Sequence, residues 1–157
     1  MNRLNDILSD EKYIYYLKRN KQYEKNREFC KHNLEHLLDV ARIAQEINLE
    51  EKLGFSKEII YTTAILHDIG RSFQYENGTP HEIASWEVGK YFLEKYQFNE
   101  EEIEFIKIGI LGHRDKESKG FSKLIYKADK LSRLCITCNA INECNWSNEK
   151  KNMKIYY

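Results

Sequence analysis

Apolar residues recur at helical spacing through almost all of this 157-residue chain, and almost nowhere do they alternate as a half-buried strand requires. Leu37, Val40, Ala41, Ala44 and Ile47 follow the i, i+3, i+4, i+7 stripe of an amphipathic helix. The only proline is Pro80, and no Gly- or Pro-rich linker interrupts the pattern. The expectation is an all-α bundle of about six or seven helices. One domain, residues 1–157, is the expected organisation, because a chain of this length suits a single core.

The helix signals can be placed one by one. Ser9-Asp10-Glu11 opens an N-terminal helix that continues or restarts through Tyr23–Cys30. The clearest helix runs from about Asn33 to Asn48. Ser56 is placed to cap a third, striped by Ile60, Ala64 and His67 and ended by Gly70. Gln74 to Gly78 reads as a loop. Thr79-Pro80 then reads as an N-cap and a first-turn proline, with His81 in the first turn behind them. Asn99 and Glu102 form a capping-box pattern before a helix ending near Gly112-His113. Ser122 starts the helix that carries Asp129, and the chain beyond about Asn139 reads as irregular or short helix.

Within that frame the chemistry-bearing residues stand out. The chain has five histidines, and four of them, with two aspartates, fall inside or at the end of separate apolar-periodic segments: His36, the His67-Asp68 pair, His81, His113 and Asp129. Facing helices commonly build metal sites from such inward side chains. Imidazole and carboxylate together suit Fe, Mn, Zn or Ni better than the all-oxygen sites of Ca or Mg. His36, His67, Asp68 and Asp129 give four ligands to one divalent ion. His81 and His113 add enough for a second, with Asp68 bridging through its two oxygens. Two such ions clamp a phosphoryl group and generate hydroxide near neutral pH. A nearby cation neutralises phosphate oxygens; Lys130, Arg71 and Arg114 are the candidates, with Arg133 beside them.

Lys+Arg equals Asp+Glu, so formal net charge is zero and general nucleic-acid binding is not expected, although a local basic patch is still allowed. No apolar run reaches the roughly 20 residues that span a bilayer. Met1 to Asp6 lacks a secretory apolar region, which gives the expectation of a cytoplasmic protein with reduced cysteines.

Three segments together resemble the HD-domain superfamily of metal-dependent phosphohydrolases. Ala64-Ile65-Leu66-His67-Asp68-Ile69-Gly70-Arg71 is similar to its central motif. His36-Leu37-Leu38-Asp39-Val40-Ala41 resembles its first and Ala128-Asp129-Lys130-Leu131 its last. The likeness covers about residues 30–134 and implies an HD-type helical bundle. His81 and His113 match the extra histidines of two-metal members, so the layout is similar to small bacterial hydrolases that cleave diadenosine tetraphosphate symmetrically. What that implies is a dinuclear iron centre, with a small phosphorylated, nucleotide-like substrate cut at a phosphoester or phosphoanhydride. Arg71 departs from a frequent lysine, and the two are not interchangeable. No matching motif accounts for the Cys-bearing C-terminal segment.

Two rival functions use the same residues: oxidative cleavage at a di-iron pair, and a non-catalytic module that senses a ligand. The intact ligand set disfavours the second. His32 lies four residues before His36 and is left out of the ligand set as a supporting or surface group. Cys135, Cys138 and Cys144 form C-x2-C-x5-C, one ligand short of a structural zinc site, which Cys30 could complete only if the fold brings it near. Reduced, partly buried thiols are the simpler reading. The Tyr-rich N-terminal helix reads as core packing and surface cover, and the Lys/Glu-rich faces as solvated.

Overall fold

A computed structural model describes all residues from Met1 to Tyr157. It contains eight α-helices and one 3₁₀ turn and no strand: α1 (Asn2–Ser9), α2 (Glu11–Tyr23), α3 (Leu34–Glu50), α4 (Lys57–Leu66), α5 (Arg71–Asn77), α6 (His81–Lys95), α7 (Glu100–Gly112), α8 (Gly120–Leu131) and the 3₁₀ turn Cys135–Thr137. The all-α expectation therefore holds. No helix is long and apolar enough to cross a membrane.

Helix α4 is the axis of the bundle. Ile59, Ile60 and every residue from Thr62 to Leu66 are buried, so it is covered all round, as a central helix must be. Helices α3, α7 and α8 pack around it and on one another, and α6 lies against α7. Leu4 and Ile7 of α1 and Tyr13 of α2 join the same apolar core. Hydrophobic burial of this kind, about 25 cal/mol per Å² of apolar surface, is the main favourable contribution to folding.

The end of α4 matters most. The chain leaves helical geometry at His67 and turns through Asp68, Ile69 and Gly70 before α5 begins. His67, Asp68 and Ile69 are buried. Buried backbone polar groups need partners, and other elements supply them. Tyr13 donates to the Ile65 carbonyl at 2.9 Å. The Asn20 amide donates to the Asp68 and Ile69 carbonyls at 3.0 and 3.2 Å and accepts from the Ser72 N–H at 2.8 Å. Ser85 of α6 accepts from the Gly70 N–H at 2.9 Å.

Several helix boundaries differ from the sequence expectations, each for a local reason. Asp10 caps α2 by accepting from the Lys12 N–H at 2.8 Å, and α1 is a separate helix in front of it. Helix α2 stops at Tyr23, and no helix covers Glu24–Asn33. Gly70 does not end α4 through a left-handed cap, since its φ is −86°. It permits close approach instead: a Cβ there would lie 2.4 Å from backbone atoms of Ala84 and Ser85. The segment read as a loop at Gln74–Gly78 is mostly α5, and the turn is confined to Gly78, whose φ of 79° is a left-handed cap. Thr79 is engaged by the Asn77 side chain, so Pro80 takes the N-cap position of α6 and His81 is its first residue. Ser122 does not start α8; its hydroxyl donates to the Ile108 carbonyl at 2.9 Å and ties α8 to α7. The Asn99–Glu102 capping box forms as the sequence indicates.

Candidate metal centre

The six side chains singled out by the sequence converge. Two groups of donor atoms have every member within 4.8 Å of the others: His36, His67, Asp68 and Asp129 in one, Asp68, His81 and His113 in the other. All six residues are buried. Asp68 belongs to both, and its two oxygens divide between them. Oδ2 faces the first group, 3.1 Å from His67 Nε2 and 3.9 Å from His36 Nε2. Oδ1 faces the second, 3.1 Å from His81 Nε2 and 3.8 Å from His113 Nε2. Asp129 Oδ1 lies 3.3 Å from His36 Nε2 and 3.9 Å from His67 Nε2, closing the first group.

Local backbone geometry aims three of the rings. His67 and His113 sit at the C-caps of α4 and α7. Each gives its Nδ1–H to a carbonyl three residues back in its own helix, Ala64 at 2.7 Å and Ile110 at 2.6 Å. Those carbonyls belong to a last helical turn, which lacks intrahelical partners. The ring thus satisfies a helix end and leaves its Nε2 pointing inward. His36 reaches the same state by another route. The Ser132 hydroxyl donates to the Asp129 carbonyl at 2.7 Å, so toward His36 Nδ1, 3.1 Å away, its oxygen can only accept. Such partners fix tautomer and orientation. His81 lacks this certainty: Gln74 Oε1 and the Arg71 guanidinium both lie 2.7 Å from its Nδ1.

The electrostatics separate the rings further. Burial pushes His36 down to about 4. Burial, helped by Arg71 and His113 and only partly opposed by Asp68, pushes His81 down to about 2. Burial and the neighbouring His67 push His113 down to about 4. Burial also disfavours charge on His67, but Asp68 and Asp129 outweigh it and raise His67 to about 10. Both carboxylates stay far below the usual range: burial opposes their charge and the surrounding imidazoles and cations overcome it.

The donor set fits divalent metal ions, and one observation tests that fit. His36 Nε2, His67 Nε2 and Asp68 Oδ1 are fully buried and have no hydrogen-bond partner. Orphaned buried polar atoms are costly and rare, and a cation between them removes the cost.

The candidate cations occupy different positions. Lys130 Nζ lies 2.6 Å from Asp129 Oδ2, and Arg133 lies 3.1 Å from Asp129 Oδ1. Arg71 lies 4.0 Å from Asp68 Oδ1 and against the His81 ring. Arg114 is half exposed and pairs with Glu82 at 3.4 Å. All four line a cavity of about 360 Å³ that opens onto Asp68, His81, His113 and Asp129.

His32, left out of the ligand set as a supporting or surface group, is a supporting one, and Glu24, Arg27 and Lys151, which the sequence did not single out, join it. His32 lines the same cavity, with Nε2 3.8 Å from Asp68 Oδ2. Its Nδ1 is 2.5 Å from Glu24 Oε1, and Tyr75 donates to that oxygen at 2.6 Å. Burial works against the Glu24 charge, yet His32 and Tyr75 hold its pKa at about 2. Arg27 and Lys151 also line the cavity. His32 lies before α3 begins at Leu34, so its four-residue spacing from His36 is not a shared helical face; no signal existed for Glu24, Arg27 or Lys151.

An all-helical fold with a buried His/Asp cluster at the end of its central helix defines a metal-site helical domain. The HD domain family matches residues 33–134, and the chain belongs to that family. A protein of Clostridium beijerinckii described as an uncharacterized protein is 73% identical to it over 157 residues, covering all of both chains. No solved structure matches the chain.

Proposed function

We propose that the chain is a metal-dependent phosphohydrolase that cleaves a phosphoester or phosphoanhydride of a nucleotide-like substrate. One observation carries the reading: Asp68 presents one oxygen to each of two donor groups at the floor of a cavity edged with cations. His36, His67, Asp68 and Asp129 would hold one ion, and Asp68, His81 and His113 a second. When bound, such a pair supplies an acidified water and Lewis acidity toward phosphoryl oxygens; iron leads the candidates, with Mn, Zn and Ni behind it.

The chain's own groups then have definite tasks. Ser132, Ala64 and Ile110 hold the Nδ1 protons of three imidazoles away from the cavity. Arg71 and Arg114 offer guanidinium groups on the side of His81, and Lys130 offers an ammonium beside Asp129. These neutralise charge on a phosphate without moving the ligand set. A cavity of about 360 Å³ suits a nucleotide-sized molecule. Phe29, Ile141 and Trp146 supply apolar surface on its wall for a base or sugar. A formal charge of zero over the chain is thus compatible with a locally cationic site.

The test is metal analysis of anaerobically purified protein followed by assays on a nucleotide panel. Turnover that needs no oxygen supports hydrolysis; strict oxygen dependence replaces it with the oxidative reading. Binding without turnover across several metals replaces it with ligand sensing. Asp68→Ala is expected to lose turnover and most of the bound metal, and full activity in that variant overturns the proposal.

A further inference from the structure

Beyond α8 little packing holds the chain. From Ser132 to Tyr157 only the turn Cys135–Thr137 is regular. Leu134, Ile136, Met153, Ile155 and Tyr156 each leave half or more of their surface exposed, and Cys135 and Ala140 are the buried apolar residues of the stretch. So small an apolar surface does not offset the entropy of ordering a segment of this length. Where a core is too small to hold a chain, a disulfide or a metal supplies the missing fastening.

The structure places Cys30 on the same cavity wall as the C-x2-C-x5-C pattern. Cys30, Cys135, Cys138 and Cys144, the complete cysteine complement, all line one cavity. Cys135 opens the 3₁₀ turn and Cys138 closes it, its N–H donating to the Cys135 carbonyl at 3.2 Å. Arg27 donates to the Cys30 carbonyl at 2.9 Å, and Arg133, just before Cys135, donates to the Lys31 carbonyl at 3.2 Å. These bonds dock the Cys30 loop on the C-terminal segment. Burial raises the Cys30 thiol, and Cys135 and Cys138 add to that rise while Arg133 opposes it, so these groups are electrostatic neighbours. No disulfide joins any of them.

We infer that Cys30, Cys135, Cys138 and Cys144 bind one zinc ion as four thiolates, clasping the C-terminal segment over the mouth of the His/Asp centre. Tetrahedral coordination by four cysteines is an ordinary closed structural site. A divalent ion with four thiolates carries two excess negative charges, and Arg27 and Lys151 on the same cavity wall balance them. No three of the sulfur atoms lie within 4.8 Å of one another. Coordination therefore draws the turns around Cys138 and Cys144 inward, which is possible because no helix or strand restrains them. Binding is coupled to ordering, as in other small metal-fastened segments.

The experiment uses the full chain, reduced and stripped of metal, titrated first with cobalt(II) and then with zinc(II). The expected result is sulfur-to-cobalt charge-transfer absorption with the visible bands of a tetrahedral ion, abolished by one equivalent of zinc. Zinc also shields four thiols from a thiol reagent and slows proteolysis after Leu131. The His/Asp centre contains no sulfur and cannot give that absorption, so Asp68→Ala keeps it. Cys144→Ser weakens zinc binding at least tenfold, with loss of the charge-transfer band. Should that variant fail to fold, the wild-type titration and thiol count still decide. Four reactive thiols with no charge-transfer band overturn the inference. So does iron–sulfur absorption in anaerobically purified protein, or a mass showing a disulfide as the resting state.

Discussion

The two donor groups share Asp68 but are built differently. The first draws His36 from α3, His67 from the end of α4 and Asp129 from α8, and both its imidazoles have their Nδ1 protons committed. It also carries its own charge balance, with Lys130 and Arg133 against Asp129. The second has three donors, and His81 shares its Nδ1 between an amide and a guanidinium. Both of its imidazoles are driven toward the neutral form. The two groups thus differ in how their rings are held: each imidazole of the first has one Nδ1 partner, whereas His81 of the second has two competing ones.

A pair of substitutions tests that contrast most directly. His36→Ala is expected to empty the first position and reduce turnover on the order of a thousandfold. His113→Ala leaves one tightly held ion, with a smaller loss. Metal content and rates measured side by side check it; equal loss of both ions in the two variants removes the distinction. Ser132→Ala comes next. It takes the acceptor from His36 Nδ1 and is expected to weaken metal binding about 10–100-fold while the fold persists, as read by metal titration and circular dichroism.

Gly70→Ala sharpens the comparison from the other side. The new Cβ meets the α6 backbone at Ala84 and Ser85, pushing the helix that begins with His81 away from the dyad turn. The expected cost is about 1–3 kcal/mol in thermal or denaturant unfolding, with the second ion lost before the first. The smallest effect is on pH dependence of the chelated protein. His36, His81 and His113 have folded pKa values below 6.5, so their contribution is complete above 6.5 and is lost as pH falls toward about 4 and below. His67 has the opposite sign: its contribution is complete below 6.5 and is lost as pH rises toward about 10. Denaturant melts across that range are expected to show a maximum near neutrality, and His81→Asn flattens the acid side.

Much of the centre was legible in the sequence because helical spacing places a histidine or aspartate reliably once its helix is known. His36, His67 and Asp129 needed that rule together with the three HD-like motifs, since spacing alone did not separate His36 from His32. The division of Asp68 between two groups also followed from a carboxylate having two oxygens. Less legible was whatever depended on one element touching another. Gly70 read as a helix stop because the approach of α6 cannot be seen along the chain. Gln74 read as loop because the burial of Ser72 beneath α2 is a tertiary effect. Glu24 gave no signal at all, since its partner His32 reaches it across an irregular stretch. Cys30 was the intermediate case: its role could be posed from the sequence, but its position came only from the fold.

The clamp formed by Tyr13 and Asn20 has a consequence for how the protein can be divided. Both residues, with Glu24 and His32, precede the first residue of the HD match at 33. A fragment cut at that boundary would retain every proposed ligand yet strip the carbonyls of the ligand-bearing bend of their donors and uncover that side of the core. The physical unit that holds the His/Asp centre together begins well upstream of where the family signature starts.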